Sequence, residues 1–486
     1  MQKTSPHPQW ALTHKRKGAE LRRINGRYYL YEVSSRWCPQ KKRAVKVTGR
    51  LLGRITEEEG FVESDKARLR KQTQLNERVQ VKEYGLCAAV ESVFGDTVDA
   101  LKKHFPDEWQ RVVSLACSRL MHQAPLKNMA WHHAGSCLSE MFPEVGLSPA
   151  SISRFLRDFG GRRGKIVEFC RSFKNDDDCI IFDGTDMLSR SERMELPGLG
   201  KTKSGAYDEM LNLMCVFSVR RQEPVLYRLL PGCVKDVSAF KLSLEESGVD
   251  NAVVVVDKGF ASARNIEALE KEGLKFVVPL HRNSRLVSYD KLKTGDKRCL
   301  DGYFKHEERH IWHCRLPVDK HKSIVLFLDE ELRNREQKDY LNRIENGAAD
   351  HTIESFHERQ PQFGTIAMLT NTDKPPREVY ADYKTRGDVE QMIDALKNIL
   401  EADRTYMQNE QALEAWMFVN LIALKWYYTL LNLLKKHELN DKFSVKDLLM
   451  FLESVKKVKI NGTWRIAEIT KKSAAVLKKL GIVDIT

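Results

Sequence analysis

The chain has 486 residues, with 80 Lys and Arg against 67 Asp and Glu, a formal net charge of +13 and 42% hydrophobic residues. That length is too great for one compact core, so about two to four domains are expected, and the positive surplus suits a polyanionic partner such as nucleic acid or an acidic membrane surface. No apolar run approaches the ~20 residues of a membrane span, the first residues lack the apolar core of a secretory signal, and ten cysteines without a CxxC pair argue against a zinc ribbon or disulfide framework.

Residues 21–56 read as a small β unit in which GRYYLYEV and RAVKVTGRLLGRI are joined by the basic link WCPQKKR; it is either a DNA-contacting arm or only a hairpin. From about 78 to 173 apolar residues recur at three- and four-residue spacing, which predicts helices. Near the end of that region, in LSPASISRFLRDFGGRRGK, Ser148 is placed to cap and Pro149 to open a helix carrying Arg154 and Arg157, with Arg162 and Arg163 following. This helix either docks on DNA or presents a solvated basic face.

The period then changes. CIIFD (179–183), LNLMCVFSV (211–219) and PVLYRLL (224–230) predict three strands, the last two antiparallel across the tight link Arg220 to Glu223. DVSAFKLSLEES predicts a helix, NAVVVVD (251–257) a fully buried strand, ASARNIEALEKEG a helix ending at Gly273, and LKFVVPL a fifth strand. The order β-β-β-α-β-α-β matches the ribonuclease-H-like fold. Residues 286–362 predict a mainly β insertion with one helix. FGTIAMLTN returns to a buried strand, Pro375 and Pro376 open a helix to about Leu400, QALEAWMFVNLIALKWYYTLLNLL is a second, and two more helices flank a short strand at KINGTWRIAEI.

Asp183 and Asp257 each end an apolar strand, at the edge where open sheets keep their ligands, although Asp before Gly or Lys is also ordinary turn chemistry. Two such aspartates are able to share divalent cations, and hard oxygen ligands suit magnesium or manganese. On one continuous α-helix, Tyr383, Arg386, Glu390 and Lys397 fall within roughly 60° of one another, beside a stripe of Val389, Ile393 and Leu396. That row is either the shoulder of a cleft or a solvated face with an i,i+4 pair between Arg386 and Glu390. His306, His310, His313 and Cys314 invite a zinc reading, but alternation along a strand separates them.

With these motifs the sequence resembles the DDE transposases of insertion sequences, in the branch marked by Tyr-x2-Arg-x3-Glu-x6-Lys. Tyr383, Arg386, Glu390 and Lys397 match that spacing, and the resemblance extends to DGTD at Asp183, LYRLLPGCVKDVSAF, DKGF at Asp257 and FGTIAMLTNTD. Two departures are Gly387, where an aromatic is usual, and Cys233, where Asn is usual.

The resemblance implies that Asp183, Asp257 and Glu390 hold the catalytic cations, two Mg2+ or Mn2+ ions, while Tyr383, Arg386 and Lys397 hold DNA. If a hairpin forms, an aromatic of the insertion holds a flipped base in some members of that branch; Trp312 is either that residue or a core or strand-pairing Trp. The implied architecture is an α/β, multi-domain chain with a ribonuclease-H-like catalytic core over 174–285 and 363–435 and a mainly β insertion over 286–362. A β-rich arm (1–77) and a helical DNA-binding domain (78–173) precede the core, and a helical tail (436–486) follows. The expected activity is cut-and-paste transposition on double-stranded DNA, at terminal inverted repeats and a target, by a homodimer in a synaptic complex. The expected setting is the cytoplasm of a prokaryote, at the nucleoid and not at a membrane. A nuclease or resolvase without strand transfer, and a non-catalytic DNA-binding descendant, are the competing expectations.

Overall fold

The computed structural model describes residues 7–38, 40–69, 79–173, 180–201, 207–232, 242–243, 245–248, 253–255 and 262–482, without the side chains of Ile180, Asp183 and Lys201. The chain forms two compact units, Met1–Lys82 with Lys456–Glu468, and Glu83–Val455 with Ile469–Thr486.

In the first unit β1 (Ala19–Ile24), β2 (Arg27–Cys38), β3 (Arg43–Thr56) and β4 (Gly60–Glu63) form an antiparallel sheet in chain order. The β1–β2 turn is Asn25-Gly26 with φ of 49° and 79°, the left-handed pair that a two-residue hairpin demands. Leu21, Tyr28, Leu30 and Ile55 bury one face of the base of this sheet together with Ala11. A second, three-stranded sheet joins β5 (Gln80–Glu83) to a later hairpin, β17 (Lys456–Ile460) and β18 (Thr463–Ile466), which turns at Asn461-Gly462.

The second unit opens with helices. Pro149–Gly160 starts as its sequence predicts, with Ser151 N donating to Ser148 Oγ at 3.3 Å and Pro149 in the first turn. It buries Ile152, Phe155, Leu156 and Phe159 and leaves Arg154 and Arg157 exposed. It packs on the 27-residue helix Glu410–Lys436 so closely that a side chain on Gly160 would run into Gln411 O. Glu410–Lys436 is long and apolar enough to cross a membrane, but its apolar residues are mostly buried inside this unit.

The sheet of this unit contains β6 (Ile180–Ser189), β7 (Gly198–Lys201), β8 (Tyr207–Ser218), β9 (Glu223–Leu230), β10 (Val253–Val255) and β11 (Lys275–Leu280). β9, β8, β6, β10 and β11 are neighbours in that order, with β6, β10 and β11 parallel and β8 antiparallel to both β6 and β9. Counted from β6 with the four-residue β7 left out, this is the order 3-2-1-4-5 expected of a ribonuclease-H-like core. The tight link across residues 219–222 fixes the antiparallel β8–β9 pair.

β15 (Thr365–Thr370) then pairs antiparallel with β11, and the inserted β12 (Gly302–His306), β13 (Arg309–Pro317) and β14 (Ser323–Asp329) extend the same sheet outward from β15. Beyond the single turn Asp290–Lys293, the insertion carries two longer α-helices where one is expected, Glu330–Glu345 and Ile353–Arg359, because the chain breaks at Gly347 (φ 72°) and restarts at the Thr352 cap. The two-residue β16 (Arg404–Thr405) pairs with the far end of β6. The result is an α/β protein in which a mainly helical region precedes a large mixed sheet.

Candidate active site

β6 is the strand on which the site is built. β8 occupies one of its edges from Ile180 to Leu188. On the other edge the described part of β10 pairs at Ile180 and Ile181, and β16 pairs at Leu188 and Ser189. Asp183 and Asp186 lie in β6 between those two pairings. The parallel register sets Val255 opposite Ile181, two residues before Asp257 and Asp183 respectively. Asp257 itself, like Cys233, lies outside the described residues, and of Asp183 only the backbone is described.

The signature helix packs against β6. It differs from the continuous α-helix that the angular argument assumes. Pro376–Lys384 and Arg386–Asp394 are separated at Thr385, whose hydroxyl donates to Ala381 O at 2.9 Å, a back-bond that bends helices. Ala395–Ile399 is a π turn, closed by Leu400 N donating to Ala395 O at 2.9 Å. A π turn advances less per residue than an α turn, so Lys397 does not sit where 100° steps put it. Its Nζ donates to Asp186 O at 2.6 Å and ties the helix to β6.

Arg386 Nη2 meets Glu390 Oε1 at 2.8 Å, with the Arg386 side chain 18% and the Glu390 side chain 59% exposed. The i,i+4 pair is therefore formed, with the carboxylate at the surface and the guanidinium half-sunk below it. Tyr383 is half-buried against the hydrophobic core. Gly387 is exposed, and a Cβ there would meet nothing within 4 Å, so this departure from the family pattern leaves no packing defect. Burial raises the carboxyl of Asp388 above its ordinary range, with Lys435 opposing the shift.

Beside Lys397 opens a cleft of about 700 Å³ lined also by Arg119, Arg404, Tyr406 and Trp416, with Glu401 and Asp403 at its wall. Arg119 stacks its guanidinium 4.9 Å from the Trp416 ring centroid and donates to Asn420 Oδ1 at 3.1 Å and to Leu400 O. Burial lowers its pKa to about 10, so it stays charged at neutral pH. Arg404 and Tyr406 reach solvent at the mouth. Nothing in the sequence singled out Arg119, Arg404 or Tyr406 beyond the single cation and ring close together in DRTYM.

The other expected residues lie elsewhere. Trp312 sits between Tyr303 on β12 and Leu328 on β14, its ring 5.1 Å from that of Tyr303 and 5.0 Å from Lys297 Nζ; it is not among the residues lining the cleft. Arg157 donates to Ser153 Oγ on its own helix at 3.1 Å. Arg162 and Arg163, which extend the same basic run, are engaged within the fold, Arg162 with Glu108 at 2.7 Å and Arg163 with Glu246 and Glu414 at 2.6 Å each.

Among the described residues no three His, Cys, Asp or Glu side chains are grouped to hold a metal. Of the three expected ligands only Glu390 has a described side chain. Asp186 Oδ1, three residues from Asp183, is buried without a hydrogen-bond partner among the described residues, and a carboxylate oxygen is the kind of ligand that suits a hard divalent cation.

No curated protein matches the chain. A solved structure, a piggyBac transposase synaptic complex with hairpin DNA, is similar over 71% of this chain and 69% of that one, at a TM-score of 0.38 and 12% identity. The family model for the transposase DDE domain matches residues 174–426. That match takes in β6, the insertion, the signature helix and most of Glu410–Lys436, more than half of the protein, and the chain belongs to the DDE transposase family.

Proposed function

We propose that the protein is a metal-dependent transposase of the Tyr-Arg-Glu-Lys branch, cutting DNA at the ends of its own element and joining the freed ends to a target. The observation that carries this reading is the placement of β6. It holds Asp183, it pairs in parallel with the strand that leads to Asp257, and it packs against the helix that bears Glu390.

Asp183, Asp257 and Glu390 would hold two Mg2+ or Mn2+ ions, which supply a more acidic attacking water and positive charge at the leaving oxygen. In the first reaction a water oxygen bonds to phosphorus, the 3′-oxygen leaves, and the water proton is lost to solvent or to a carboxylate. In the second the 3′-hydroxyl attacks a target phosphodiester, forming one ester bond and breaking another.

The chain's own cations do the holding. Arg386 would present a planar fork to a phosphate, and Lys397 would contribute a point charge beside the cleft. Arg404, Tyr406 and Trp416 line a groove whose mix of cations and rings suits a DNA strand with its bases turned aside. Tyr383 packs the helix and offers its hydroxyl. Arg154 and Arg157, exposed on one helix face, suit phosphates of the terminal repeats. Two element ends must be held together, which calls for a homodimer acting on chromosomal DNA in a prokaryotic cytoplasm.

The test is to incubate the protein with magnesium, a duplex carrying its flanking repeats and a target plasmid. Cut ends covalently joined to plasmid are expected; cutting without joined product would leave a nuclease, and binding without cutting a non-catalytic descendant.

A further inference from the structure

We propose that the outer half of the β2–β3 hairpin is a DNA-binding arm that lies in the major groove of a duplex, with its cations on the phosphates and Trp37 against the groove wall. The proposal rests on DNA being the protein's substrate, but concerns residues far in sequence from the matched domain.

The base of the hairpin is held by neighbours, since β1 pairs with β2 from Arg27 to Glu32 and β4 pairs with β3 from Gly53 to Thr56. Beyond that the two strands pair only with each other, from Val33 opposite Thr48 to Cys38 opposite Arg43. The register shifts around Tyr31, where the ribbon leaves the sheet, and such bulges bend and twist a strand. Six residue pairs beyond the shift give a projection of roughly 20 Å. Both faces of it are open: Ser34, Ser35, Arg36 and Trp37 on one strand and Arg43, Ala44, Lys46 and Val47 on the other are all exposed. A two-stranded ribbon this exposed gains little from burial and is marginal in water, so its retention calls for a partner.

Charge names the partner. Residues 33–56 contain Arg36, Lys41, Lys42, Arg43, Lys46, Arg50 and Arg54 and no Asp or Glu. Lys46 and Arg54 are paired, with Glu20 at 2.7 Å and Glu59 at 3.2 Å; no ion pair among the described residues takes the other five. Trp37 is 63% exposed beside them, because its cross-strand neighbour is Ala44, too small to cover an indole. The major groove of B-form DNA, about 12 Å wide, admits a two-stranded ribbon, whereas that of A-form RNA is too deep and narrow.

The experiment measures binding of the full chain to a labelled duplex carrying the flanking repeat, across a series of salt concentrations. Combined Lys41→Gln, Lys42→Gln and Arg43→Gln is expected to weaken binding at least about tenfold and to lower the slope of log K against log salt by about 2–3, at roughly 0.9 for each phosphate no longer neutralised. Trp37→Ala is expected to weaken binding with the slope unchanged, because ring contacts release no counterions. Thermal melting should match wild type for both, since every substituted side chain is exposed.

Wild-type affinity and slope in the triple variant would overturn the arm. Self-association of that variant without loss of DNA affinity would do the same, since the lysines would then merely guard a strand edge. Equally tight binding to an RNA duplex would overturn the groove placement. A wild-type protein that binds no duplex would instead remove the substrate reading on which the arm depends.

Discussion

Glu390→Gln will leave the protein folded and able to bind DNA, and will slow cutting of the element end by about a thousandfold or more. The fold is spared because the carboxylate is 59% exposed and its ion pair with Arg386 is an i,i+4 surface pair, worth about 0.3–0.5 kcal/mol. Cutting is not spared, because glutamine keeps the shape and loses the charge that balances a divalent cation. A bound cation supplies several kcal/mol to a phosphodiester transition state, and each 1.36 kcal/mol is a factor of about ten in rate. Single-turnover cleavage at saturating protein checks this. A rate within a few-fold of wild type would leave Glu390 as the solvated half of a helix pair.

Arg163→Ala will act in the opposite way, costing about 3 kcal/mol of stability without touching the chemistry. Its Nη2 reaches Glu246 and its Nη1 reaches Glu414, each at 2.6 Å, Nη2 also donates to Tyr227 O at 2.7 Å, and the group lies 5.0 Å from the Tyr227 ring centroid. Burial alone would pull its pKa down, but Tyr227, Glu414 and Glu246 more than offset that and hold it above its ordinary value. Alanine leaves Glu414 without its cation and Glu246 with Arg228 alone, at 2.8 Å, in a site where neither carboxylate side chain is more than 20% exposed. Removing one partner of a buried pair costs about 3–5 kcal/mol, and the partial exposure here favours the lower end. Urea unfolding followed by tryptophan fluorescence should show the loss, with Arg163→Lys falling between the two. Unchanged stability together with weaker DNA binding would return Arg163 to the basic face that its neighbours in sequence suggest.

That contrast shows where sequence reasoning ran out. GRRGK reads as a basic run because nothing local reveals that Arg163 will meet Glu246 and Glu414, which lie 83 and 251 residues away. The order of the core strands was legible, because a buried strand is a continuous apolar run and the four-residue link between β8 and β9 leaves antiparallel pairing as the only short route. β7 and β16 were not, since four and two residues carry no periodicity and are strands only by virtue of their neighbours. The hairpin at β17 and β18 was legible and passed over: Asn461-Gly462 is the turn chemistry that a two-residue loop requires. At the site, the polar row was legible only as a spacing of residue types. It missed the Thr385 back-bond and the π turn, which decide that Lys397 grips β6, because both depend on hydrogen bonds that a fixed angular step cannot represent.

The central claim is that Asp183, Asp257 and Glu390 share bound cations. It is tested most directly by replacing magnesium with ferrous iron and adding peroxide, so that radicals formed at the bound metal cut the polypeptide beside it. Mapped fragments should show scission at three places, near residues 183, 257 and 390, suppressed by excess magnesium and lost together in Asp257→Ala. Scission confined to other segments, or cuts near 390 that persist when Asp257 is replaced, would contradict a shared site.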